Sequence, residues 1–275
     1  MSQPIAFPNK PLVEAFFEAR WETSGLRAPD LPMGMPMIPI RQPVTDSGYI
    51  KHQASFISQI QKRYPAVIQL TPQAIPHEAQ YRFCSREGED IWPVIQFGPG
   101  LMTYNDTHRY SYHGNFRSNA IEAFNVLNES AETVDGYRIV SLRLHYIDAI
   151  MLEKDDPASI PDFIKKTMNI ELGIPDHVFS DLPVKSVAKQ FIWSSVYETA
   201  SPNGLLQLLF NEGVHQDAPA LIWQTIFTTR GDQRSNCSVS DFENWLDSAH
   251  DKIVLPLFLK LTTGELQRRF NETRD

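Results

Sequence analysis

Cysteine is nearly absent from this chain: Cys84 and Cys237 are the two in 275 residues. Each stands without a second Cys or a His at metal-ligand spacing, so neither a disulfide framework nor a cysteine-built zinc site organises the fold. Both are read as buried thiols. Basic runs are also missing. The densest pairs are Lys165-Lys166 and Arg268-Arg269, and 33 acids against 25 bases leave a net charge of -8. Broad nucleic-acid binding needs a clustered basic face to displace counterions, and is disfavoured here. No apolar run is long enough to span a bilayer. The opening MSQPIAFPNKPLVEAFF has no basic segment followed by an apolar core, so no secretory leader is expected and the reading is cytoplasmic. Catalytic signatures are lacking too: there is no Gly-x-Ser-x-Gly elbow, no His-Glu-x-x-His and no kinase set. Gly98 and Gly100 fit neither the Walker nor the dinucleotide glycine pattern, and read instead as a bend. These absences lean against an enzyme. No cofactor is expected, and none of the eight histidines has a visible metal-ligand partner.

What is present is a globular composition, 42% apolar and 21% charged, enough for a sizeable core. The longest patterned stretch is Gly136 to Leu152, GYRIVSLRLHYIDAIML. Val140, Leu142, Leu144, Tyr146, Ile150 and Leu152 fall on one side. Ile139, Ser141, Arg143, His145, Ile147 and Ala149 fall on the other. Period two and β-branched content predict a central strand of a large antiparallel sheet.

The remaining chain predicts strands and helices around it. Leu12 to Glu22 alternates as a strand. Residues 25–47 form a proline-punctuated loop whose Met33, Met35 and Met37 make an apolar, adaptable flap for a partner or ligand. Tyr49 to Tyr64 is a helix after Asp46/Ser47, and Val67 to Leu70 a short strand. Tyr81 to Ser85 and Ile91 to Phe97 are strands. Gly98-Pro99-Gly100 bends the second, and Leu101 to Asn105 continues it. Asn115 to Glu129 is a helix. Lys154 to Pro161 is the boundary between an N-terminal unit, 1–153, and a C-terminal unit, 154–275, which is either separate from the first or continuous with it. The second unit holds a helix, Asp162 to Leu172. Strands follow over Val184 to Glu198, Gly204 to Asn211 and Ala220 to Arg230, with turns at Asn203-Gly204 and Asn211-Glu212-Gly213. A helix from Ser240 carries a Ser240…Glu243 capping box, and the last helix is Leu257 to Phe270. The fold class is α+β, with antiparallel sheets and flanking helices: βαββαβ, then a three-stranded meander and C-terminal helices. No internal sequence repeat is evident.

Candidate chemistry is dispersed. Arg143 and His145 share one strand face and, with His113, make a candidate polar centre for a hydrolase or nuclease-like reaction. Asp148 lies in the apolar register, so it must be paired, hydrogen-bonded or protonated. His250 and Asp247, three apart, read as a helix-surface pair. Tyr104, Asn105, Arg109 and Tyr112 crowd residues 98–117, which become a candidate binding surface. Arg109 and Arg143 are candidate phosphate contacts for a small nucleotide or a structured nucleic acid.

Five stretches occur in a characteristic order: PNKPLVEAFFEARW from Pro8, FGPGLMTYN from Phe97, YHGNF from Tyr112, LRLHYID from Leu142 and LDSAHDKIVLPLFLKLTTGELQRRF from Leu246. Together they resemble a sporadically distributed family of uncharacterised prokaryotic proteins of about 250 to 280 residues. In that family's pattern Arg-Tyr-Ile-Asn stands where this chain has His145 to Asp148. Gly-Trp-Glu stands before a Phe where this chain has Gly114-Asn115-Phe116. The resemblance implies no activity, cofactor or catalytic residues. Its patchy distribution implies accessory genes, such as those of phage-defence or toxin–antitoxin loci. The expectation is therefore a non-catalytic accessory protein that binds another protein, with a homodimer also possible.

Overall fold

The computed structural model describes residues 7–26, 42–86, 91–107, 109–157, 159–183, 188–229 and 237–271. Met33, Met35 and Met37 of the expected flap lie outside the described residues, as does His108. The chain runs β1 (Leu12–Glu22), α1 (Ser47–Ile60), β2 (Ala66–Gln69), β3 (Tyr81–Cys84), β4 (Val94–Gly98), β5 (Leu101–Asp106), α2 (Arg117–Ser130) and β6 (Arg138–Met151). It continues with α3 (Ile160–Met168), β7 (Ile192–Ala200), β8 (Asn203–His215), β9 (Ala218–Thr229), α4 (Val239–Ala249), α5 (Leu255–Thr262) and α6 (Glu265–Asn271). The architecture is α+β: the nine strands form one antiparallel sheet in the order β2-β3-β4-β5-β1-β6-β9-β8-β7.

Alternation assigns the two faces. Ala15, Phe17, Ala19 and Trp21 of β1 and Leu142, Leu144 and Tyr146 of β6 point to the helical layer, where they meet Phe56 of α1, Phe124 of α2 and Phe242 of α4. A second apolar cluster joins Phe210 of β8 and Trp223 of β9 to Phe163 of α3 and Leu266 and Phe270 of α6. Phe17 and Phe242 ring centroids are 5.0 Å apart, and Phe124 stacks on Phe242 at 4.1 Å. Each such buried aromatic contributes several kcal/mol of burial, and the pairings add about 0.5–1.5 kcal/mol each. Near the start of β6 a register shift pairs Trp21 with Ile139. That bulge turns Ile139 into the core, so the expected faces of Ile139 and Val140 exchange.

The strand order contains a repeat that residue identities do not display. β1-α1-β3-β4-β5-α2 and β6-α3-β7-β8-β9-α4 follow the same path. In each, the first strand is flanked by the last, and the hairpin runs outward from there. β1 and β6 meet antiparallel at the centre, so the halves are related by a pseudo-twofold axis normal to the sheet. β2 is an extra edge strand of the first half. The repeat boundary is the α2–β6 connection, and the sheet runs unbroken through both halves.

Four local expectations change. Gly98-Pro99-Gly100 closes a hairpin between β4 and β5 rather than bending one strand: Gly98 pairs with Leu101, and Gly100 has φ 73°. A Cβ at Gly98 would collide with the Glu78 carbonyl, so only glycine lets the chain pass there. Asn211-Glu212-Gly213 is strand interior, because the β8–β9 turn falls at Gln216 and Asp217, both left-handed at φ 50° and 62°. The capping box belongs to Ser238 and Asp241, two residues before the expected pair. The last expected helix is two, α5 and α6, separated at Gly264, φ 104°.

Candidate functional site

Two of the five characteristic stretches meet in the helical layer. YHGNF forms a single π turn, Tyr112–Phe116, leading into α2, and HDKIV forms another, His250–Val254, between α4 and α5. Ser111 caps the first, accepting from Gly114 N at 3.2 Å. Pro256, in the first turn of α5, lacks an N–H, and the widened turn before it leaves the chain helical. A π turn holds an extra residue and rotates the side chains after it, and such turns concentrate at functional sites.

Here the rotation brings polar groups together. The Tyr112 and His250 rings stack at 3.5 Å, with planes 2° apart. Tyr112 Oη donates to Asp247 Oδ1 (2.8 Å). Arg117 Nε donates to the same oxygen (2.6 Å) and Arg117 Nη2 to Oδ2 (2.8 Å), while Arg117 also pairs with Glu243. His250 Nδ1 lies 2.7 Å from Asp251 Oδ1. His113 stands at the solvent side, its ring 6.0 Å from that of His250 and nearly perpendicular. Below them Tyr110 Oη and Tyr146 Oη share a hydrogen bond of 2.6 Å. His250 and Asp247 are thus not a plain surface pair: His250 is buried, and Asp247 is locked by the other helix.

The electrostatics follow from burial. Desolvation lowers the His250 pKa, against the raising effect of Asp251, so the imidazole is neutral at pH 7. Burial raises the Asp247 carboxyl, but the hydrogen bonds from Arg117 and Tyr112 outweigh it and hold it below the usual carboxylate range. Desolvation and the Asp247 carboxylate keep the Tyr112 phenol protonated. The arrangement is a fixed His–Asp pair beside an Arg–Asp–Glu cluster in which one cation offsets one of two carboxylates.

Arg143 and His145 lie on the opposite face of the sheet, which carries no helix among the described residues, so the structure does not bring His113 to them. There Glu18 is buried between Arg20 Nε at 2.7 Å and Arg143 Nη1 at 3.6 Å. Burial raises the Glu18 carboxyl, and Arg143 and Arg20 more than reverse this. His145 Nε2 lies 3.0 Å from Gln224 Oε1, and its ring is 4.6 Å from Phe16. Desolvation drops the His145 pKa to about 4, too low for an efficient base near neutrality. Arg143 is therefore tied into an ion pair, and His145 is a buried neutral ring.

The 98–117 candidates scatter. Tyr104 is core, its Oη accepting from Asn119 Nδ2 (3.0 Å). Asn105 faces the side opposite the helical layer and donates to Glu14 Oε1 (2.6 Å). Arg109 is exposed, with its carbonyl accepting from Asn115 Nδ2 (3.0 Å). Tyr112 alone joins the His–Asp cluster. Asp148 faces the helical layer, and burial lifts its pKa to about 7. A cavity of about 460 Å³ opens among Lys10, Leu12, Met151, His215 and Arg269. Its cations are engaged: Arg269 binds Asp156 through two 2.7 Å bonds, and Lys10 donates to the Tyr110 carbonyl.

No family model and no curated protein matches this chain. His250 and Asp251 are the functional candidates that residue patterns missed. Their signal was indirect: both stand in one of the five ordered stretches, and Tyr112 and His113 stand in another.

Proposed function

We propose that this protein is a non-catalytic interaction protein, an accessory subunit that binds a partner protein by adding a strand of the partner to the free edge of β7. A phage-defence or toxin–antitoxin system is the setting we propose for it. The observation that carries this reading is β7 itself. Among the described residues it ends the sheet and pairs with β8 alone, and it presents nine residues, IWSSVYETA, with one acid and no Lys or Pro. Ile192, Val196 and Tyr197 are 64%, 54% and 48% exposed. Edges of this length are ordinarily blunted by charge, proline or brevity, as the four-residue β2 is at the opposite end. A long apolar edge without those devices is suited to β-augmentation, in which main-chain hydrogen bonds give affinity and alternate side chains give specificity.

The test is the native mass of the chain purified from its own host, as wild type and as Val196→Lys. Val196 is exposed on the face opposite the helical layer, so the substitution should change stability by no more than about 0.5 kcal/mol. The wild type should carry the mass of a second polypeptide and the variant should not. A bare wild-type chain would refute the reading. Two copies of this chain, separated by the same substitution, would replace the partner by self-pairing.

A further inference from the structure

We infer that His113, His250 and Asp251 form a binding site for a zinc-type divalent transition-metal ion, which joins the π turn before α2 to the π turn after α4. Each residue offers one ligand atom, and these atoms lie within 4.8 Å of one another. Small side-chain rotations bring such a set to the roughly 2.0–2.2 Å bond lengths of zinc.

The ligand set itself selects the class of ion. Two imidazoles and one carboxylate suit zinc and neighbouring late divalent metals, whereas calcium and magnesium take oxygen ligands. Three protein ligands leave a further position for water, as in zinc sites that are not closed. The site is also built rather than casual. His250 is fixed by the parallel Tyr112 ring at 3.5 Å. Asp247, the nearest further carboxylate, does not compete for the ion: Tyr112 occupies one of its oxygens, and Arg117 both. That lock compensates one negative charge and leaves Asp251 as the carboxylate presented beside the two histidines.

The site spans the topological repeat. His113 comes from the helix-layer connection of the first half, and His250 and Asp251 from that of the second. Metal binding should therefore tighten the junction of the halves as well as occupy it.

The test uses the full-length chain after chelator treatment, titrated with Co²⁺ and then Zn²⁺. The expected result is one equivalent of Co²⁺ giving the visible ligand-field absorption of a low-symmetry site, bleached by Zn²⁺. His113→Ala and Asp251→Asn alter exposed side chains, so the fold is retained when His250 is left in place. Each should weaken Co²⁺ binding at least about tenfold, a lower limit set by the 10–100-fold losses typical of outer-shell partners alone. Absence of saturable one-equivalent binding, or binding of equal strength in His113→Ala, would overturn the assignment.

Discussion

Asp148 shows what single-residue chemistry decides in this fold. It sits in an apolar register opposite Trp223, with its carboxyl buried and its pKa lifted by desolvation to about 7. The folded chain therefore holds a proton there that the unfolded chain, with a carboxyl near 4, releases. Stability from this group is fully present below about pH 4 and is lost as pH rises through 7. The slope between is at most about 1.4 kcal/mol per pH unit. Asp148→Asn removes the ionisable group and its slope. Denaturant unfolding at pH 5 and pH 8 should show the variant gaining on the wild type at the higher pH. An equal difference at both pH values would mean that Asp148 is ionised in the folded protein. His145 has the opposite tendency: burial holds it neutral, with a pKa near 4. His145, prominent as it is in the sequence, therefore does not titrate as a base poised at neutral pH.

Elements show how much was legible and where legibility ended. β1 and β6 were readable because alternation of apolar residues survives through most of both, apart from the bulge at Ile139, and α1 because Asp46 caps it, accepting from Tyr49 N at 2.8 Å. Boundaries set by backbone dihedrals were not. Gln216-Asp217 carries no turn signature, yet both residues are left-handed, while the glycine two positions into Glu212-Gly213 serves a different need. Gly213 lies opposite Ala220, and Ile222 occupies the space its Cβ would take. The hairpin consequently bears a strain that a better turn pair removes. Gln216→Asn with Asp217→Gly should stabilise the chain by about 1 kcal/mol, read from denaturant midpoints. A loss of stability would show that the Gln216 or Asp217 side chain makes a contact outweighing the backbone strain. The candidate site was least legible for a related reason. His113 and His250 are 137 positions apart, and two π turns, which no simple periodicity announces, aim them at each other.

For the whole molecule, the repeated topology explains the layout of surfaces. Placing β1 against β6 at the centre sends the two hairpin series outward and leaves β2 and β7 as edges. All the helices that fill the two apolar clusters lie on one face, so Arg143, His145 and Asn105 look out from the other. The repeat was hidden because the halves share the path of their strands and helices rather than their residues. The two edges then differ: β2 is brief, and β7 is long and apolar. An interaction protein of this form should use β7, and Val196→Lys should abolish the complex while sparing the fold. The most direct test is amide hydrogen exchange across β7 in the isolated chain and in its complex. We predict that the β7 amides facing away from β8 exchange fast in isolation and become protected in the complex, while β2 amides stay unchanged. Equal β7 exchange in both states would contradict strand addition as the mode of binding.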